Sequence, residues 1–243
     1  MNNRQLKVLI TGGSRGLGRK IADYLAKQGH GVSVIDIAAK SDTEASYLSA
    51  LEGYYECDLS NTHAIEDTFT SIINKAGKID LLINNAAIRE FKKLEEFKPE
   101  EIERNINVDF IAPVILSNLC LPLMKKNKFG RIINISSISA YRVYCNGSLY
   151  CSSKRALIAF TEALGKELSD LNGTVTVNTI CPDSFSRIDG TGLKDGQWIT
   201  QAILGKIDNI IESRLNGKAI NIFTLRHKIS ERLYYFRRAF FMD

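Results

Sequence analysis

Between the apolar run Lys7–Thr11 and the amphipathic stretch Gly18–Gln28 lies Thr11-Gly12-Gly13-Ser14-Arg15-Gly16-Leu17-Gly18. Glycines at 12, 16 and 18 permit a tight turn and a close approach that side chains would block. Alone, such a string is a weak signal. Set between a strand pattern and a helix pattern, it restricts the chain to folds that open strand, turn, helix. The free N–H groups and positive dipole end of that helix make the turn a seat for an anion such as a pyrophosphate.

The rest of the chain repeats the alternation. Strands are expected at Lys7–Thr11, Val32–Asp36, Tyr54–Cys57, Leu81–Asn84, Arg131–Ser136, Thr174–Ile180 and Lys218–Phe223. Most are near-continuous in Val, Ile and Leu, as parallel strands covered on both faces require. Helical spacing marks Gly18–Gln28, His63–Ala76, Pro99–Lys125, Tyr150–Leu171 and Trp198–Leu215. Pro122 should kink or break its helix. This order predicts an α/β fold with right-handed crossovers, a doubly wound parallel sheet in three α/β/α layers forming one domain over residues 1–243.

A length of 243 residues suits one such unit, and 44% hydrophobic residues can fill its core. The net charge of +5 comes from basic residues spread along the chain, which argues against a nucleic-acid surface. Five cysteines in no metal spacing are expected to be reduced thiols, in a cytoplasmic setting. The three histidines offer no ligand motif, so no metal site is expected. No stretch is read as approaching the ~18 apolar residues of a spanning helix, and none resembles a signal peptide.

Asp36 closes the second strand, 18 residues past Gly18. A carboxylate there can accept hydrogen bonds from the ribose of a bound dinucleotide and would repel a 2′-phosphate. Arg15 and Lys40 pull the other way, since either can pair with that phosphate. The carboxylate holds the critical position, so NAD is favoured over NADP. Asp58 and Leu59 follow the third strand where an adenine edge would lie. Asn84-Asn85-Ala86-Ala87 ends the fourth, where small residues allow close approach.

Tyr150 and Lys154 stand one helical turn apart, and Ser137 lies thirteen residues before Tyr150 at the end of an apolar run. Positions i and i+4 share a helix face. An ammonium beside a phenol favours the phenolate, which makes the tyrosine a general acid/base. A Tyr-x-x-x-Lys pair by itself is an ordinary surface pair; the nucleotide turn gives it meaning.

Taken together, the glycine turn, Asp58, Asn84–Ala87, Asn134-Ile-Ser-Ser137 and Tyr150-x-x-x-Lys154 resemble the short-chain dehydrogenase/reductase family over residues 6–182. The resemblance implies a Rossmann-like sheet of seven parallel strands ordered 3-2-1-4-5-6-7, often in dimers or tetramers. It implies Tyr150 as proton donor and acceptor, Lys154 lowering its pKa and binding the nicotinamide ribose, and Ser137 holding the substrate oxygen. Ser136 is the neighbouring candidate; spacing selects Ser137. The implied cofactor set is Gly12, Ser14, Arg15, Gly16, Leu17, Gly18, Asp36, Asp58, Leu59, Asn84, Asn85, Ala86 and Pro182, with Tyr150 and Lys154.

Three positions depart from the family pattern. Ala87 stands where glycine is usual, and Asp183 follows Pro182 where glycine is usual. The helical asparagine that supports a proton relay to the lysine falls on Asp109, counting from Ala112-Pro113. Asn107 lies two residues earlier and faces elsewhere on a helix. An aspartate can still hold a relay water and strengthens the positive state of Lys154, so Asp109 joins the catalytic set and a shifted pH optimum is expected.

The leading reading is an NAD(P)-dependent oxidoreductase of a secondary alcohol or ketone; sugars, nucleotide sugars, steroids and acyl chains all remain open. The Gly-, Asp- and Ser-rich stretch Cys181–Gln197 reads as a mobile loop, a lid whose polar residues from Ser184 tilt toward a hydroxylated substrate. The basic, aromatic tail Thr224–Asp243 is read as packing on the body or a sister subunit, with membrane contact as the alternative. The competing function is a nucleotide-binding sensor or scaffold without turnover, motivated by Asp109 and Asp183.

Overall fold

A computed structural model describes residues 4–183 and 194–222. Seven strands form one sheet: β1 Lys7–Thr11, β2 Gly31–Asp36, β3 Gly53–Glu56, β4 Leu81–Asn84, β5 Gly130–Ile135, β6 Val175–Pro182 and β7 Lys218–Ile222. All neighbours pair in parallel, in the order β3-β2-β1-β4-β5-β6-β7. The expected sheet is therefore the observed one, with ends displaced by a residue or two. Helices α1 Gly16–Lys27, α2 Ala45–Ala50, α3 Thr62–Ala76, α4 Pro99–Ile106, α5 Ala112–Lys126, α6 Ser148–Glu167 and α7 Lys194–Glu212 cover its two faces.

The two-residue period of β1 shows why both faces are dry. Leu9 points into one core, with Ile72 of α3, Leu116 and Cys120 of α5 and Leu164 of α6. Val8 and Ile10 point into the other, with Ile21 and Leu25 of α1 and Ile203 and Ile207 of α7. A strand buried on both sides needs apolar residues at successive positions, as the sequence has.

Three expectations need correcting. Pro122 does not break its helix: α5 runs through it to Lys126. Pro122 and Asn118, whose carbonyl loses its donor, both lie on the exposed side, where water can serve the freed group. The helix instead widens at Asn107–Ile111, a single π turn in which Ala112 N–H donates to Asn107 O. The turn lies just ahead of Pro113, which cannot donate to the carbonyl of Asp109 in an ordinary α-helical register. Second, Pro99–Lys126 is in fact long and apolar enough to cross a membrane. Ala112, Leu116, Cys120 and Met124 bury one face of it in the core. Third, the stretch Cys181–Gln197 is not wholly loop: Cys181 and Pro182 finish β6, and α7 begins at Lys194. Residues 184–193, the middle of the expected lid, and the tail 224–243 lie outside the described residues, as does Phe223.

In an open parallel sheet the order reverses between β1 and β4, and their carboxyl ends leave a crevice between the helices on either side. Gly12 follows β1 and Asn85 follows β4, so both fall at that crevice.

Candidate active site

The crevice is built by three loops locked to one another. Thr11 Oγ1 accepts the N–H groups of Asn85 and Ala86, each at 3.0 Å. Asn85 Nδ2 in turn donates to the carbonyls of Thr11 and Gly12 at 2.9 and 3.0 Å. Gly12 has φ +67°, and a Cβ there would stand 2.9 Å from Ala86 Cα. A Cβ on Gly18 would collide with the Gly12 carbonyl oxygen. Two glycines thus let the turn fold onto the start of α1 and against the β4 loop.

Asp36, buried at the end of β2, accepts from Ser14 N–H at 2.8 Å and from Ala38 N–H at 3.0 Å. Each oxygen accepts one backbone donor and retains a lone pair. Above this carboxylate opens a cavity of about 400 Å³. Of the expected cofactor residues, Gly12, Arg15, Leu17, Gly18, Asp36, Asp58, Leu59, Asn85 and Ala86 line it. Ser14 and Gly16 are not among its walls: Ser14 donates its N–H to Asp36, and Gly16 opens α1.

Asn84, Pro182, Tyr150 and Lys154, also expected at the cofactor, are not among its walls. Asn84 is buried beneath, donating to Asn134 Oδ1 at 2.8 Å, and Asn134 donates to Thr161 Oγ1 at 2.9 Å. The pair ties β4, β5 and α6 together below the crevice. Pro182 pairs with Ile222 as the last residue of β6. Walls that were not anticipated include Ile37, Ile88, Arg104 and Val108. Ile37 follows Asp36 directly in the sequence, and the structure leaves it 69% exposed. Arg104 lies on α4 and Val108 in the π turn that follows it, and no local pattern says that either reaches the cavity.

The proposed chemical groups lie on α6, just past the end of β5 and in the π turn. Ser137 follows β5 and caps the short helical turn Ile138–Ala140, accepting from Ser139 N–H at 3.1 Å. Ser136 is committed elsewhere, donating to the Lys154 carbonyl at 2.8 Å. Tyr150 lies in the first turn of α6, its ring 5.7 Å from that of Phe91. Lys154 is 2% exposed, with Nζ 5.7 Å from the centre of the Tyr150 ring and donating to Ile135 O at 3.4 Å.

Asp109 faces the same region from the π turn. It is 1% exposed, and its Oδ1 accepts from Ile88 N–H at 2.7 Å. Its Oδ2 has no hydrogen-bond partner among the described residues. Burial raises the pKa of this carboxyl, against the charge of Lys154 and the Ile88 N–H, which lower it. Asn107 donates to Ser60 O at 3.0 Å and so does not stand in for it. Ala87 has no left-handed φ, so the absent glycine removes nothing the backbone needs. Asp183 is buried, its N–H donating to Ile222 O at 2.9 Å, which prolongs the β6–β7 pairing. Among the described residues no cluster of His, Cys, Asp and Glu could hold a metal.

A parallel sheet with a glycine-lined anion seat at its switch point defines the Rossmann-like dinucleotide-binding class. The cradle at Gly12 and Gly18 and the lone pairs of Asp36 fit such a cofactor. The family model described as short chain dehydrogenase matches residues 6–190, and the chain belongs to that family of oxidoreductases. Carbonyl reductase family member 4 of Xenopus tropicalis is 32% identical over 81% of this chain and 83% of its own. D-beta-hydroxybutyrate dehydrogenase of Cupriavidus necator is 29% identical over 87% and 84%. Among solved structures, 4-hydroxyisoleucine dehydrogenase complexed with NADH superposes with a TM-score of 0.79 at 25% identity, covering 90% of this chain and 97% of that one. The protein is an enzyme of the CH–OH and carbonyl oxidoreductase kind, in a family that uses NAD(P).

Proposed function

We propose that the protein interconverts a secondary alcohol and a ketone with NAD, using Tyr150, Lys154, Ser137 and Asp109. When bound, the dinucleotide supplies or accepts the hydride. Tyr150 passes a proton to the carbonyl oxygen in reduction and takes it back in oxidation. Ser137 Oγ donates to the same oxygen and orients it. Lys154 stabilises negative charge developing on the phenol oxygen, and Asp109 sits behind it as the acceptor end of a proton path. Asp36 favours NAD: its free lone pairs suit ribose hydroxyls, and its charge opposes a 2′-phosphate.

The observation that carries this reading is the burial of Lys154 beside Tyr150, with a backbone carbonyl as its hydrogen-bond partner. Taking an ammonium out of water is expensive, and such a group is retained where its charge is used. The test is turnover of alcohols and ketones by Tyr150→Phe, with NADH and NADPH affinities measured by cofactor fluorescence. A loss of ~10²–10⁴ in kcat/KM is expected, the usual worth of a positioned acid/base, with NADH affinity retained. Parental activity in the variant would remove Tyr150 from its role.

The unpartnered Oδ2 of Asp109 favours one other reading, a nucleotide-binding protein without turnover. That reading requires NADH binding with no activity on any carbonyl offered. The five free cysteines, four of them buried, suit a cytosolic setting, and a homodimer or homotetramer completes the proposal.

A further inference from the structure

Of the six large hydrophobic side chains left exposed among the described residues, Phe91, Leu94, Val143 and Tyr144 belong to the two loops on either side of Tyr150. One loop follows β4; the other joins β5 to α6. Phe91 is the hinge of the arrangement. Its ring is tilted 51° to that of Tyr150 at 5.7 Å between centres. Its edge meets the second loop at Gly147, where a Cβ would stand 2.9 Å from Phe91 Cε1. Gly147 N–H donates to Tyr144 O at 3.1 Å, so Tyr144 belongs to the same turn. The Arg89 guanidinium, from the ring's own loop, lies 5.5 Å from the Phe91 ring centre.

An aromatic ring fixed against the proposed acid yet open to solvent is an incomplete contact. It leaves apolar area wet beside the one hydroxyl that must meet the substrate oxygen. Phe91 and Tyr144 meet through the Gly147 turn, Leu94 and Val143 lie on the same two loops, and such exposed apolar side chains mark a ligand surface. A polyhydroxylated substrate would lose water against it and gain no hydrogen bond. An alkyl or aryl group next to the carbonyl carbon would cover it.

We infer that Phe91 is the specificity residue of this site, with Val143 and Tyr144 beside it, and that the substrate is a ketone or secondary alcohol carrying an apolar alkyl or aryl flank. The inference rests on Tyr150 being the acid. It differs from the polar leaning of the segment 184–197, most of which lies outside the described residues.

The test is reduction of methyl ketones of rising alkyl length, of acetophenone and of dihydroxyacetone, with NADH. In the parent, kcat/KM should rise along the alkyl series by about tenfold or more, since each methylene seated in an apolar pocket is worth ~10-fold or above. Phe91→Ala should flatten that rise mainly through KM, falling least for the shortest ketone, and Phe91→Leu should restore most of it. NADH affinity should stay as in the parent. Gly147→Ala, whose new methyl displaces the ring, should also shift the length preference. Preference of the parent for dihydroxyacetone, or an equal fall for every ketone in Phe91→Ala, would overturn the inference. Tyr150→Phe separates the two proposals: activity in that variant sinks the acid, whereas an inactive Tyr150→Phe beside an unaltered Phe91→Ala sinks only the specificity assignment.

Discussion

Replacing Asp109 by asparagine isolates one buried carboxyl. The carboxylate is 1% exposed, one oxygen has a single N–H donor and the other has no partner among the described residues. Desolvation raises its pKa in the fold, and Lys154 and the Ile88 N–H only partly oppose it. In the unfolded chain the group titrates near ~3.9. The folded state therefore holds the proton more tightly. The stability this confers is fully present below the unfolded pKa and is lost as pH rises through the folded pKa. Each unit of upward displacement is worth about 1.4 kcal/mol. For a chain of this size that is about 3–5 °C in Tm per unit, at ~2–4 °C per kcal/mol. The amide of Asp109→Asn would make no such contribution. It would place a buried NH2 where Oδ2 stands, whose effect is independent of pH. The decisive quantity is thus the slope of the Tm difference between Asp109→Asn and parent, not its value at one pH. That difference should shift in the variant's favour from pH 4 upward and then level. Differential scanning fluorimetry in matched buffers between pH 4 and 8 reads it directly. A difference that stays flat, or moves in the parent's favour, would mean that Lys154 and the Ile88 N–H offset or outweigh burial, and the account of this carboxyl would fail.

In a Lys154→Met background the same dependence should extend to higher pH, because burial of Asp109 is then opposed by the Ile88 N–H alone; an unchanged pH range would show that the two groups do not feel each other. Gly18→Ala should weaken NADH binding at least tenfold by fluorescence titration, since its methyl meets the Gly12 carbonyl oxygen at the cradle; parental affinity would refute the close fit. Gly165→Ala should lower stability by about 1–3 kcal/mol, the usual effect of overpacking, because its methyl would run into the Gly217 backbone where α6 meets the approach to β7; denaturant midpoints check this. Among the thiols, Cys181 is buried and pushed up to about 12, and Cys145 alone is exposed. Iodoacetamide at pH 8 should therefore modify one equivalent, at Cys145, as peptide mass mapping would show.

The sheet was legible because each strand is a run of apolar residues with no polar face, which only double burial explains. The nucleotide seat was legible because the contact that requires Gly18 is local, with the Gly12 carbonyl oxygen six residues back; the approach of Ala86 to Gly12 is not local. What local patterns could not carry was side-chain destination. Asn84 sits in the right motif, yet its amide turns down to Asn134 and the helix below instead of into the cavity. Arg104, on α4, and Val108, in the π turn, reach the cavity through the tertiary arrangement alone. The helix register likewise needed three dimensions. Pro122 is tolerated on a wet face, while Pro113, ordinary as a helix-start residue, follows a π turn that the 3.6-residue period does not announce.

That π turn joins the two halves of the site. With Ala112 N–H reaching back to Asn107, Val108 and Asp109 both turn inward, the first to the dinucleotide cavity and the second toward Lys154. Asp109 then holds Ile88 N–H, at the far end of the loop whose near end, Asn85 and Ala86, hangs from Thr11. The loop is pinned at both ends, once to the glycine turn and once to the helix. Phe91, three residues beyond Ile88, inherits its position from the second pin. A substitution at Asp109 that removes the acceptor, such as Asp109→Ala, should therefore disturb cofactor affinity and substrate preference together. Asp109→Asn, which keeps an acceptor for Ile88, should leave both largely in place and alter the pH dependence. If the alanine variant bound NADH and ranked ketones as the parent does, the loop would be held by Thr11 alone, and the carboxyl would act on Lys154 only.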